Sequence, residues 1–292
     1  MYCGQDRRQD LGAGACCTVT TFPASIQEED ERMLKDRRYG IITPENRDGR
    51  IRTLDHQQIS GYGVGIVYIE NVNYPLIPGN VVNAYTYDFP VRMMPVKGLT
   101  NDRLFNADPT IKDDIIAAAK HMVEKEGVRA VCSACGFFGN FHREVAAAVD
   151  VPVAMSSLVQ IPWIRTLLKP DQKIGILTAN GASLNEGLFR SCGVKNTDDI
   201  VFKGLEKSAE FSAVVDMRPC FDNEVARQEV VEAALELVEE NPEIGAILLE
   251  CSDMPPYAAD VQAAVQLPVF DFITLIKWLH SAVMQRPYTG WM

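Results

Sequence analysis

Apolar residues recur along this chain with two alternating periods, and that alternation predicts the class of fold. Val64 to Ile69 is a compact, β-branched run, a strand stopped by Asn71, Asn73 and Pro75. A loop punctuated by Pro78 and Gly79 follows, then a second strand near Phe89 to Met94. "TIKDDIIAAAKHMVEKEG" carries apolar residues at helical spacing and ends on Gly127. "VRAVCSA" reads as a buried strand, "REVAAAV" as a short helix and "VPVAMSSL" as a strand and turn. The pattern then restarts. "KIGILTAN" is a strand and "GASLNEGLFRSCG" a helix capped by Gly193; "EVARQEVVEAALELVEENP" is a long amphipathic helix ended by Pro242. "IGAILLECSD", "AADVQAAVQ", "LPVFDF" and "ITLIKWLHSAVMQ" complete a strand, helix, strand, helix series. Such alternation predicts an α/β fold of mainly parallel sheets flanked by helices. Residues 1–60 lack any sustained apolar period. They read as an irregular N-terminal extension, with at most a solvated helix in "QEEDERMLKDRRYG".

Internal repetition sharpens this picture. A shift of 116 positions carries Cys135 onto Cys251, Ala130 onto Ala246 and Phe141 onto Tyr257. The same shift carries Val145, Ala147, Ala148 and Val149 onto Val261, Ala263, Ala264 and Val265, and Pro152-Val153 onto Pro268-Val269, with no gap. A looser echo at a shift of 110 lays "YGVGIVYI" over "QKIGILTA", with Gly65 on Gly175. The expected organisation is therefore two pseudo-symmetric lobes, 61–160 and 161–273, with 274–292 as a C-terminal helix and tail packing across them. Ligand crevices in open α/β sheets border the carboxyl ends of the strands. Each lobe carries a cysteine at such an end, so both thiols are expected in one inter-lobe cleft.

Composition narrows the function. The net charge of −11 argues against nucleic acid or an anionic membrane as partner. No stretch of about 18 apolar residues predicts a membrane helix, and the start "MYCGQDRRQDLGAGACC" lacks the apolar core of a secretory signal. Eight cysteines without such a signal suggest reduced thiols in the cytoplasm. Cys16 and Cys17 are possible acylation sites, though adjacent cysteines among small residues are more often incidental. Cys132 and Cys135 form a C-x-x-C, open to redox or zinc readings. However, Ser133 and Ala134 between them end a strand, and His56, His121, His142 and His280 are scattered singly. Under the repeat Cys132 falls on Leu248, a strand-core position, which leaves Cys135 and Cys251 as the pair. Cys132, Cys192 and Cys220 are expected to act as small buried hydrophobes.

Two facing thiols suit proton transfer at a carbon acid, one removing a proton and the other delivering one to the opposite face. A thiolate needs stabilisation, and the turn that follows each cysteine offers backbone N–H groups. Gly136 and Ser252 are the expected donors, Gly136 also admitting close approach of a substrate. These two-cysteine segments, "SACGFFGNFHREVAAAVDVPV" and "AILLECSDMPPYAADVQAAVQLPVFD", resemble the aspartate/glutamate/hydantoin racemase superfamily over about residues 62 to 285. The resemblance implies a cofactor-independent, metal-free enzyme with Cys135 and Cys251 as acid/base pair, and is compatible with a homo-oligomer, dimer or higher. It also implies that Thr178 and Asn180 hold a substrate carboxylate, with Asn71 and Asn73 as their weaker equivalents.

Amino-acid racemases of the family tend to carry Cys-Asn-Thr and Cys-Thr-His. This chain has Cys135-Gly136-Phe137 and Cys251-Ser252-Asp253, which points away from an acidic amino acid. Phe137, Phe138, Phe141 and Tyr257 suggest an apolar mouth or plain core packing. Asp253 is placed either to orient Cys251 or to cap the next helix. The leading expectation is a racemase or epimerase acting next to a carboxylate or carbonyl. "NYPLIPGN", residues 73–80, is similar to the dimethylsulfoniopropionate lyase branch, so β-elimination is the alternative. A non-catalytic two-lobed binder of small ligands is the third reading.

Overall fold

Parallel strands need crossover helices, and the chain supplies them twice in the same order. The computed structural model describes residues 59–286 and 288–292. The expected extension, its helix at 27–40, the Cys16 and Cys17 pair and His56 fall almost entirely or wholly outside the described residues. The first half runs β1 (Val64–Ile69), β2 (Val91–Val96), α1 (Asn101–Phe105), α2 (Lys112–Glu126), β3 (Ala130–Ser133), α3 (His142–Ala148) and β4 (Val153–Ala154). Next come α4 (Ile161–Leu167), β5 (Lys173–Thr178), α5 (Glu186–Ser191), β6 (Ile200–Gly204), α6 (Ala213–Asp216) and α7 (Asn223–Glu240). The chain closes with β7 (Ile244–Leu249), α8 (Ala258–Val265), β8 (Val269–Phe270) and α9 (Phe272–Val283).

The strands form two four-stranded parallel sheets of the same order, β2-β1-β3-β4 and β6-β5-β7-β8. Val64 pairs with Ala130 in the first and Ile174 with Ala246 in the second. Those two registers reproduce the sequence shifts of 110 and 116, so the repeat is one of structure. Gly65 and Gly175 occupy matched positions where a helix or neighbouring side chain comes close. A Cβ would stand 2.8 Å from Met122 Sδ in one case and 2.9 Å from Ile247 Cδ1 in the other.

One face of the first sheet, with Val67, Ile69 and Val131, shares a core with Ile115, Ala119 and Met122 of α2 and Val145 of α3. Its other face, Val64, Ile66, Ala130, Cys132 and Ala154, is covered by Phe272, Leu275, Ile276 and Leu279 of α9, which belongs in sequence to the second half. The mirror of this arrangement holds for α4. Its Ile161 and Ile164 follow the first sheet in sequence and share a core with Ile174, Ile176, Ala246 and Leu248 of the second. Gln160 ties the two crossings together. Its Nε2 donates to the Asp271 carbonyl at 3.0 Å and its Oε1 accepts from the Thr274 hydroxyl at 3.3 Å.

Local chemistry accounts for the departures from the sequence pattern. The second strand runs two residues further than expected and includes Pro95, tolerated because β2 is an edge strand. The helix expected over 181–193 is divided into a 3₁₀ turn at Gly181–Ser183 and α5. Asn185 causes the break, since its side chain accepts the Leu188 N–H at 3.0 Å and starts a new helix. The pattern also misses β6, an edge strand with Phe202 about half exposed, and the short helices α1, α4 and α6.

Because α9 seals one sheet face, Ile276→Ala should lower unfolding stability by about 2–5 kcal/mol. Lys277→Ala, on the exposed side of the same helix, should stay within about 0.5 kcal/mol. Urea unfolding at constant slope checks both.

Candidate active site

Cys135 lies just beyond β3 and Cys251 just beyond β7, the carboxyl ends of equivalent central strands. In each turn the backbone two residues on, at Phe137 or Asp253, favours the ionised cysteine against the effect of burial. The two thiols influence one another electrostatically, and both act on the Tyr74 phenol from the loop after β1. Both sulfurs and Tyr74 therefore share one region where the two halves meet, Cys251 buried in it and Cys135 and Tyr74 half-buried. Cys132 does not converge with Cys135. It packs under α9 on one sheet face, whereas Cys135 borders the core on the other. Cys192 is buried as expected, but Cys220 is exposed and is not a core residue.

Two carboxyl groups dominate the electrostatics. Asp253 Oδ2 accepts from the Cys251 thiol at 3.6 Å, the Tyr74 hydroxyl at 3.1 Å and the Ser252 hydroxyl at 3.3 Å. Its Oδ1 accepts from Asn80 Nδ2. Burial pushes Asp253 up to about 6, against the pull of those hydrogen bonds. The side chain orients Cys251, and the following 3₁₀ turn has Met254 rather than Asp253 at its N-cap. Glu250 is fully buried. Its Oε2 accepts from the Thr178 hydroxyl at 2.8 Å, and its Oε1 has no hydrogen-bond partner among the described residues. Burial pushes this carboxyl up to about 7, with the Thr178 bond acting in the opposite direction. Burial also drives both thiols well above the usual thiol range. Glu250 adds to this at Cys135, and Asp253 then Glu250 at Cys251.

The remaining expected residues fall into distinct places. Thr178 is buried on Glu250, and the Asn180 N–H donates to the Thr178 hydroxyl at 3.3 Å. Gly136 admits not a substrate but the chain's own Glu250, since a Cβ there would overlap Oε1. The Phe137 side chain is 1% exposed and meets Phe105 edge-on at 4.8 Å. Phe137, with Phe138 and Phe141, fills the core instead of forming a mouth. Asn71 is exposed in a left-handed turn, and Asn73 Nδ2 donates to the Met217 carbonyl across the halves at 3.3 Å. The asparagine of this loop that reaches the cysteines' carboxylate is Asn80. Beside Asp253 opens a pocket whose lining includes Asn80, Glu210, Phe211, Phe221 and Tyr257. Sequence reasoning missed Glu250, Tyr74 and Asn80. Glu250 had a signal, a charge closing the six-residue apolar run of β7 where the repeat places Ala134.

Gly136→Ala should cost about 1–3 kcal/mol of stability by overpacking. In a Glu250→Ala background the same change should cost clearly less. A double-mutant cycle from denaturant unfolding reads this coupling.

Comparison with known proteins agrees with this architecture. The family model described as Asp/Glu/Hydantoin racemase matches residues 112–279, more than half of the chain. A dimethylsulfoniopropionate lyase from Durusdinium sp. clade D is 32% identical over 233 residues, covering 78% of this chain and 77% of its own. Dimethylsulfoniopropionate lyase 3 from Emiliania huxleyi (strain CCMP1516) is 30% identical over 268 residues, covering 87% of this chain and 67% of its own. Among solved structures, allantoin racemase from Pseudomonas fluorescens aligns with a TM-score of 0.52 at 14% identity, over 78% of this chain and all of that one. A variant of arylmalonate decarboxylase aligns with a TM-score of 0.51 at 16% identity, over 77% and 96%. These structures share the fold, and the sequence matches carry the kinship: the chain belongs to the Asp/Glu/hydantoin racemase family of enzymes.

Proposed function

We propose that this protein is a lyase that removes the proton α to a carboxylate and expels an onium group from the β-carbon, with dimethylsulfoniopropionate as substrate. The observation that carries this reading is the charge around the thiols. The titratable groups that act on Cys135 and Cys251 are acids: Glu250, Asp253 and, for Cys251, the other cysteine. Such a site disfavours a thiolate until positive charge arrives. A β-sulfonium substrate brings that charge with it. The pocket beside Asp253 is lined by residue types that attract a cation, the aromatic Phe211, Phe221 and Tyr257 and the acidic Asp253 and Glu210. The curated relatives reported above bear the same activity in their names.

Cys251 is the base in this reading, because its thiol already has an acceptor in Asp253 Oδ2. Its proton passes to Asp253, and the thiolate takes the substrate α-proton. The C–H electron pair becomes the Cα=Cβ double bond as the β-carbon–sulfur bond breaks with its pair leaving on sulfur. Acrylate, dimethyl sulfide and one proton result. Cys135, which lies beside Glu250, stays a thiol. Racemisation, to which the two-cysteine pattern pointed first, begins with the same proton removal. It is the second reading, favoured by a thiol at equivalent strand ends of both halves. A cytoplasmic setting belongs to the proposal and is in keeping with the free thiols.

Incubation with dimethylsulfoniopropionate should yield dimethyl sulfide in the headspace and acrylate by proton NMR. Cys251→Ser and Asp253→Asn should each lower kcat by about 10²–10⁴-fold. Since only ionised Asp253 can accept the thiol proton, kcat/KM should rise as pH passes upward through about 6, a limb that Asp253→Asn removes. No dimethyl sulfide from the wild type, with α-deuterium incorporation and lost optical rotation in a chiral carboxylate or hydantoin in D₂O, would reject elimination in favour of racemisation.

A further inference from the structure

Glu250 has no place in the proton path just described, yet it is fully buried beside the reacting groups. Its surroundings decide its protonation state. Thr178 donates to Oε2, the Gly136 backbone lies against Oε1, and the Ser157 hydroxyl donates to the residue's own carbonyl at 3.3 Å. The titratable groups that feel it are the thiols of Cys135, Cys192 and Cys251, with Asp253 beyond Cys251. Each of these becomes negative when it ionises, so none stabilises a carboxylate at Glu250. Burial pushes the group in the same direction, up to about 7. With Oε2 occupied as an acceptor, the acid proton belongs on Oε1, a buried donor without an acceptor.

Removing a proton α to a carboxylate moves a second negative charge onto the carboxylate oxygens. A donor already fixed in a dry site stabilises that charge far better than one that must reorganise. A carboxylic acid held neutral by its surroundings can serve as such a donor. We propose that the Oε1–H of Glu250 receives the substrate's carboxylate and takes up the charge that develops there, which makes Glu250 a catalytic residue of this site. Thr178 is then a positioning residue, acting through Oε2. Gly136, having no side chain, lets Oε1 lie against the Cys135 turn. The inference rests on the reading that a carboxylate binds between the two cysteines, but not on the fate of its β-substituent.

The test is calorimetric binding of acrylate and of propionate between pH 5.5 and 8.5. Wild-type affinity should weaken by about tenfold per unit once pH exceeds the Glu250 pKa, because only the acid form donates to an anion. Glu250→Gln keeps an N–H donor of the same shape, so its affinity should remain within a few-fold of the acid-limb value and lose the pH slope. The slope should persist in Asp253→Asn. With ¹³C-carboxyl-labelled glutamate, the signal missing from Glu250→Gln should titrate near 7 and move on adding acrylate. A slope retained in Glu250→Gln or abolished in Asp253→Asn, an unmoved carboxyl signal, or no binding of either carboxylate at any pH would overturn the inference. Failure to form dimethyl sulfide would reject only the lyase reading.

Discussion

A carboxyl group buried against a glycine from the other half of the molecule is the contact on which this site turns. Glu250 follows a strand of six buried apolar residues, and among the described residues its side chain bonds only Thr178, at the end of the neighbouring strand. Its free oxygen meets the turn that follows Cys135. That single side chain spans from one strand end to the other. It also sets the local electrostatics, because an acid buried at this point raises the cost of ionising either thiol.

The two cysteines are alike in sequence position but not in chemistry. In each the backbone two residues on favours the ionised form, so the backbone treats them equally. Their side-chain neighbours do not. Cys251 hands its hydrogen to Asp253, itself held by Tyr74, Ser252 and Asn80. Cys135 has the Glu250 carboxyl, which arrives from the opposite half. A duplicated fold has thus acquired a polar division of labour through residues outside the duplicated pattern. Elimination needs such asymmetry, since it removes one proton and returns none to carbon.

How much of this could be read from residues alone depended on whether the repeat reached them. The parallel sheets, the central strands and the choice of Cys135 and Cys251 as matched strand-end residues followed from two shifts and the apolar periods. Glu250 was hidden because its counterpart is Ala134, and a repeat emphasises what is common to both halves. Asn80 and Tyr74 come from an irregular loop whose path is set by tertiary contacts, including the Val81 N–H to the Ser252 carbonyl at 3.3 Å. Phe137 misled for the converse reason: its proximity to Cys135 in sequence suggested the cleft, while its side chain fills the space under Phe105. The β6 strand escaped notice because an edge strand with exposed Phe202 shows no clean alternation.

The crossing helices give the molecule a topology that the repeat alone does not suggest. Each sheet borrows its second cover from the chain segment that belongs to its sibling, α9 for the first and α4 for the second. A half separated from the other would therefore present a bare apolar sheet face to water, and it would carry a helix with nothing to lie on. The duplicated units are no longer autonomous. Any breathing of the site must keep both helices seated, which restricts it to small rotations and forbids the wide parting available to lobes joined by simple linkers.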